Sequence, residues 1–593
     1  MRWNLTDLYQ SFDDPTLEND FNKLKQLLNE LVEESSAEIS QPKEYLEQTI
    51  RDLQELRRLS SRLGSFFSLT QSVESDHKGA ADGLNRLRAF AGEQAIIDTR
   101  FKLFLKDLDL EALAQESALI KEHLFFLKEL QTKANRLLSE KEEILLAKLR
   151  NTGSVAFSTL QSDITSNLLI EVELEGETKT LPLPAVRNLA YSGDPATRKA
   201  GFEAEIAAYP RIEKSSAAAL NAIKGEVITV AEMIGFESPL EETIEDSRMD
   251  QQTLDALMEA IEAYLPHFRR YLKRKAEILG YDKGLPFYEL FAPVGKSQLT
   301  YSYPEAMEFI IDTFKKVSPR LSDYVQLAYD KDWLDIEPRA GKRGGAFCSN
   351  LHVIGQSRIM SNFNGSFSNM TTLAHELGHG YHGLNLKDES ILNAGYPMPI
   401  AETASIFNET LIVQEALKDV SADDALAILE DSISGANQVI TDIYSRYLFE
   451  TDLFEKRKTR TLQADELKEM MLEAQKKAYG DGLDPEILHP YMWINKPHYY
   501  SAGRSFYNFP YAFGLLMANG FIARYQAEGE AFMPKYDEFL RLTGQMSIPD
   551  VAATMGIDVR DSAFFKQSLE VIKGQIDEFI ERTEELVQGD KND

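Results

Sequence analysis

The chain has 593 residues, 43% of them hydrophobic, which is apolar material enough for more than one packed core. Its 95 acidic and 64 basic side chains give a formal charge of −31, which repels nucleic-acid phosphates and anionic headgroups, so neither nucleic acid nor membrane is an expected partner. Cys348 is the only cysteine, excluding an intrachain disulfide; the opening MRWNLTDLYQSFDDP lacks a signal-peptide core and no apolar run reaches bilayer length, so a cytoplasmic protein is expected.

From about Pro15 to Arg150 leucines recur at the spacing of amphipathic helices, as in Leu24, Leu27, Leu28 and Leu31 and again in Leu53, Leu56, Leu59 and Leu63. The period changes between Leu169 and Leu183, where EVELEGETKTLPL alternates apolar and polar residues about Glu175-Gly176 and predicts a β-hairpin over 169–183. Tyr191-Ser192-Gly193-Asp194-Pro195 then punctuates the chain, placing an internal boundary near residue 190 and separating 1–190 from 191–593. Helical patterns resume to about Leu334. The loop Gly341-Lys342-Arg343-Gly344-Gly345-Ala346 follows, and after it Cys348 to Ile354 and Arg358 to Phe363 read as two strands of a small sheet. From Ser366 onward the pattern is almost wholly helical, so the fold class is mainly α.

The segment SNMTTLAHELGHGYHG contains H-E-x-x-H as His375, Glu376 and His379. Four residues apart on a helix, the two imidazoles share a face and reach one cation, while Glu376 is one step round the turn, near a metal-bound water. Ser366 or Ser368 caps the helix, and Gly383 ends it. Gly378 and Gly380 each cost about 1 kcal/mol against alanine in a helix interior, which points either to tight helix packing or to a substrate or backbone passing close by.

A catalytic zinc site takes three protein ligands and leaves a position for water. His382 shares the face of His375, but seven residues at about 1.5 Å each separate them by roughly 10 Å, so His382 reads as a packing or hydrogen-bonding residue that also touches substrate. Position 385 is Asn, which excludes a third histidine ligand ten residues beyond His375. Downstream, PMPIAETASIFNETLIVQEAL reads as a second helix with Glu402 and Glu409 on one face, and either carboxylate completes the set. If Glu402 ligates, Glu409 is placed to accept the free ring N–H of a ligand histidine. The segment INKPHYYSAGRSFYNFPYAFG is dense in aromatic residues and, taken alone, reads as aromatic core. His352 and His489 read as structural, and Cys348 as a buried small residue.

The run HELGHGYHG followed by AETASIFNE resembles the oligoendopeptidase F family, relatives of thimet oligopeptidase, and the similarity extends from WNLTDLY through the hairpin region to the carboxyl-terminal helices. The resemblance implies one Zn²⁺ ion held by His375, His379 and Glu402, with Glu376 as general base and Glu409 in the family's second acidic position. It implies that the histidine-and-tyrosine stretch donates hydrogen bonds to the oxyanion, matched here by His498 and Tyr511, then Tyr507. The implied fold is a mainly α, two-lobed zincin-type peptidase with a small β-sheet beside the zinc helix and a deep channel admitting short, flexible oligopeptides. In such peptidases an extended substrate pairs with a sheet edge, for which Gly344, Gly345 and the Arg358 to Phe363 strand are the candidates. The implied activity is that of a zinc-dependent endopeptidase. Nothing in the sequence speaks to oligomeric state.

Overall fold

Apolar residues at alternating spacings of three and four bury best as one stripe of a helix, and the structure, a computed structural model describing residues 2–295 and 298–584, is mostly helical. The described residues divide into two compact units. The first is drawn from Met1–Leu137, Leu299–Glu415 and Arg524–Ile557, the second from Leu138–Gln298, Ala416–Ala523 and Asp558–Asp593. Residue 190 lies inside the second unit, so the division does not follow the contiguous boundary expected there. Each unit gathers segments far apart in sequence, a relationship that local turn signals do not encode.

In the first unit, helix Pro15–Glu34 starts where Asp14 accepts the N–H of Thr16 and proline occupies the first turn, where its missing donor is not needed. Leu24, Leu28 and Leu31 from this helix pack with Leu59, Leu63, Phe66 and Phe67 of helix Pro42–Val73. The same core takes in Trp3, Leu8 and Tyr9 of the opening segment and Leu351 and Met360 of a three-stranded sheet. In that sheet Gln356–Met360 is central, parallel to Leu334–Asp335 and antiparallel to Phe347–Leu351, with Cys348 opposite Ile359. The two strands expected from Cys348 to Ile354 and from Arg358 to Phe363 are therefore present in a small sheet, but displaced to Phe347–Leu351 and Gln356–Met360. His352–Ile354 forms a 3-10 turn closed by Gly355 at φ 62°, a left-handed conformation that glycine adopts without strain. Buried Arg358 ties the opening segment to the sheet, donating to the carbonyl of Asn4 at 2.7 Å and pairing with Asp7 at 3.3 Å. Within its sheet, Phe347–Leu351 is an edge strand, whereas the Arg358 to Phe363 run expected to offer an edge to substrate falls on the central strand, paired on both sides.

The second unit holds the predicted hairpin, Leu169–Leu174 against Glu177–Pro182, with Glu175 at φ 55° and Gly176 at φ 81°. Two successive positive φ angles are what a two-residue turn needs to match strand twist. Helices Glu213–Met233, Gln251–Ile278, Ala422–Asn437 and Ile443–Arg457 carry buried lysines and carboxylates that neutralise one another, Lys224 with Glu450 at 2.7 Å and Lys275 with Glu430 at 2.6 Å. Among the described residues, no helix is long and apolar enough to cross a membrane.

Candidate metal centre

The H-E-x-x-H segment lies on helix Phe367–Leu386 of the first unit, begun by Ser366, whose hydroxyl accepts the N–H of Asn369. One helical turn brings the rings of His375 and His379 edge to face, their centroids 5.0 Å apart. Glu402 follows the short helix Met398–Ala401 and immediately precedes helix Thr403–Ala416, so its side chain leaves from a helix junction. Its Oε2 lies 3.2 Å from His375 Nε2 and 3.5 Å from His379 Nε2.

These separations suit one cation. Four ligands about 2.0–2.1 Å from a tetrahedral ion stand roughly 3.3 Å from one another, and three potential ligand atoms of His375, His379 and Glu402 lie within 4.8 Å of one another. The second ring nitrogen of His375 is also accounted for, because Nδ1 faces Glu409 Oε2 at 3.0 Å. A cation bound at Nε2 would leave the one proton of the ring on Nδ1, facing Glu409. Burial opposes charge on His375, yet Glu402 and Glu409 overcome this and raise its pKa to about 10, a measure of how strongly the site attracts positive charge. Glu402 is held well below the ordinary carboxylate range: burial would raise it, and the two histidines more than offset this.

Glu376 is 7% exposed and lines a cavity of about 340 Å³ together with His375, His379 and Glu402. Burial raises its pKa, with the histidines and the N–H of Cys348 acting in the other direction. That contact sets the candidate base against the edge strand Phe347–Leu351, whose Phe347, Cys348 and Asn350 form another wall of the cavity.

Two glycines explain how tightly the helix is held. A Cβ on Gly378 would lie 2.4 Å from the carbonyl oxygen of Ala404, so only glycine lets the Glu402 segment approach. A Cβ on Gly380 would fall 1.7 Å from the Tyr324 hydroxyl. Both therefore serve packing between elements. The substrate contact expected of His382 is corrected by the structure. The ring is fully buried, its Nε2 2.9 Å from Thr543 Oγ1 and its face stacked on Tyr396 at 4.0 Å, so no part of it is open to a peptide. Burial lowers its pKa to about 3 and keeps it neutral.

Gly344 and Gly345 lie just before cavity-lining Ala346, with Gly345 at φ 81° and its carbonyl accepting from Asn362 at 3.0 Å. A Cβ at either would meet nothing within 4 Å. His498, Tyr507 and Tyr511 belong to the second unit. There the His498 ring stacks on Tyr507 at 5.9 Å, and the hydroxyls of Tyr507 and Tyr511 lie 3.1 Å apart. Tyr499 and Tyr500, from the same aromatic stretch, are buried core.

Three residues of the centre went unnoticed in sequence. Ser405 Oγ lies 3.0 Å from Glu402 Oε2, Asn350 donates to the carbonyl of His379 at 3.0 Å, and Tyr396 joins the cavity wall. Ser405 stands three residues after Glu402 and its position was a usable signal; Asn350 and Tyr396 reach the site only through folding.

Comparisons with known proteins agree with this geometry. The profile of peptidase family M3 matches residues 188–571, and that of oligopeptidase F matches residues 103–168. Oligopeptidase PepF of Bacillus subtilis is 23% identical over 98% of this chain and 87% of its own length. Group B oligopeptidase PepB of Streptococcus agalactiae is 23% identical over 83% of this chain and 81% of its own. Among solved structures, a Chlamydophila abortus protein superposes with a TM-score of 0.84 at 19% identity, covering 98% of each chain. Oligoendopeptidase-F from Enterococcus faecium gives 0.70 at 18%, covering 96% of this chain and 98% of the other. The mainly helical fold is thus shared with these structures, and with the M3 profile matching well over half of its residues, this chain is a metalloendopeptidase of peptidase family M3.

Proposed function

We propose that the chain is a zinc-dependent endopeptidase that hydrolyses short, unstructured oligopeptides, with His375, His379 and Glu402 holding one Zn²⁺ and Glu376 acting as general base. The triangle of His375 Nε2, His379 Nε2 and Glu402 Oε2, with separations of 3.2 and 3.5 Å on the side shared with Glu402, carries this reading. Glu409 keeps His375 in the ligating tautomer. When bound, zinc supplies a Lewis acid that polarises the scissile carbonyl and acidifies water. Glu376 takes the proton from that water as it attacks, then returns it to the leaving amine, so no covalent acyl-enzyme forms. His498, with Tyr511 or Tyr507, donates hydrogen bonds to the oxyanion, a charge that appears only in the transition state. An extended peptide pairs with the edge strand Phe347–Leu351, with Gly344 and Gly345 giving its backbone clearance. The relatives named as oligopeptidases support the substrate class, and the single cysteine suits a reducing cytoplasm.

The test measures metal content and cleavage of a quenched-peptide panel before and after chelation, then after adding back zinc. Peptide cleavage should disappear and return with the metal, and a folded protein substrate should resist throughout. Full cleavage by metal-free protein sinks the proposal.

A further inference from the structure

Within the second unit a chain of polar side chains ends on His498. It starts where helix Ala422–Asn437 passes into five residues of π-helix, Gln438–Asp442, before helix Ile443–Arg457 resumes. Such insertions are rare and concentrate at functional positions. Here the insertion ends on buried Asp442, whose carboxylate pairs with Arg446. Arg446 Nη1 donates to Asn508 Oδ1 at 3.0 Å, and Asn508 Nδ2 lies 2.8 Å from His498 Nε2. The far end is held by strain: Phe506 has φ 51° although it is not glycine, and its ring is packed against Tyr447 at 5.7 Å and Phe454 at 5.5 Å.

These contacts permit one pattern of protons. A guanidinium has donors only, so the amide oxygen of Asn508 faces Arg446 and its NH₂ faces His498. That NH₂ can only donate, so His498 Nε2 is the acceptor and carries no proton. Burial, helped by the charges of Arg446, Lys224 and Lys496, keeps the ring neutral by lowering its pKa to about 3. The one N–H of a neutral imidazole is then on Nδ1.

We propose that Arg446 and Asn508 are positioning residues that lock His498 in its Nδ1–H tautomer, so that Nδ1 is the nitrogen that donates to the oxyanion. The catalytic half of this inference rests on the reading of His498 as an oxyanion donor; the tautomer does not.

Nitrogen-15 spectra of the metal-loaded, histidine-labelled protein test it, with the His498 signals among the nine histidines identified by their loss in His498→Gln. The wild type should show a protonated Nδ1 and an unprotonated Nε2. Asn508→Asp keeps the partner for Arg446 but turns the group facing Nε2 into an acceptor, so the tautomer should reverse and kcat should fall roughly 10²–10³-fold with KM little changed. The double variant with His498→Gln should lose no more than His498→Gln alone. A wild-type Nε2–H overturns the proposal outright, and it does so even if Asn508→Asp fails to fold. A reversed tautomer with wild-type kcat, while His498→Gln is impaired, overturns the positioning role. Full kcat in His498→Gln overturns the donor reading beneath it and leaves the tautomer to the spectrum.

Discussion

Glu409 Oε2 stands 3.0 Å from Nδ1 of His375, while Glu402, two turns earlier, turns its Oε2 to Nε2 of the same ring at 3.2 Å. One imidazole is thus gripped at both nitrogens by carboxylates seven residues apart. The arrangement ranks the two acids: Glu402 shares its oxygen with His379 as well, whereas Glu409 meets His375 on its far side.

Removing Glu409 should therefore weaken the centre without dismantling it. Glu409→Ala is expected to raise the zinc dissociation constant about 10–100-fold, read by competition with a chromophoric chelator. Glu402→Ala should abolish stoichiometric binding in the same assay. Equal effects of the two substitutions would contradict this ranking.

Glu376 lines the cavity beside the ligand triangle and is proposed to move a proton. Glu376→Gln should retain full metal content and wild-type stability yet lose at least about 10²–10⁴-fold in kcat. Turnover within a few-fold of wild type removes Glu376 from the mechanism.

Gly378 is required by the 2.4 Å approach to Ala404. Gly378→Ala should cost about 1–3 kcal/mol and reduce zinc affinity by moving Glu402 away from the histidines. The contrast is Gly435, inside helix Ala422–Asn437 with nothing within 4 Å of a new Cβ. Gly435→Ala should stabilise by roughly 0.5–1 kcal/mol. Denaturant midpoints of both variants supply the comparison.

His498 supplies a pH signature. The unfolded chain protonates this ring near its ordinary 6.5, whereas the folded protein does so only near 3, because burial and three nearby cations oppose the charge. Between those values the unfolded state binds the extra proton, so the stability tied to the neutral ring is lost as pH falls. Lowering pH from 7.5 to 5 should cost the wild type about 2 kcal/mol more than His498→Gln in urea unfolding. The same shift implies that the pH–rate profile has no ionisation of His498 between pH 5 and 8. Parallel stability curves for the two proteins would refute both.

Much of the fold was legible because helices and hairpins are local. The leucine spacings of Leu24 to Leu31 and Leu53 to Leu63 fall on helices, and Glu175-Gly176 makes the predicted turn. The strands before helix Phe367–Leu386 were displaced because a 3-10 turn at His352–Ile354 depends on the left-handed Gly355, which apolar alternation does not reveal. The boundary near residue 190 does not divide the compact units, which are assembled from distant segments.

At the centre the division has the same cause. Spacing along one helix is rigid, so the sequence alone determined that His375 and His379 share a face with Glu376 beside them; the single helix expected to carry both Glu402 and Glu409 is instead interrupted at Glu402. Which carboxylate faces His375 and His379 together, why Gly378 has no side chain, why His382 is sealed under Tyr396 and which nitrogen of His498 faces Asn508 were decided only in the tertiary structure. Each depends on contacts between residues that the chain keeps apart, and those contacts are set by packing of whole elements, which no local pattern of residues specifies.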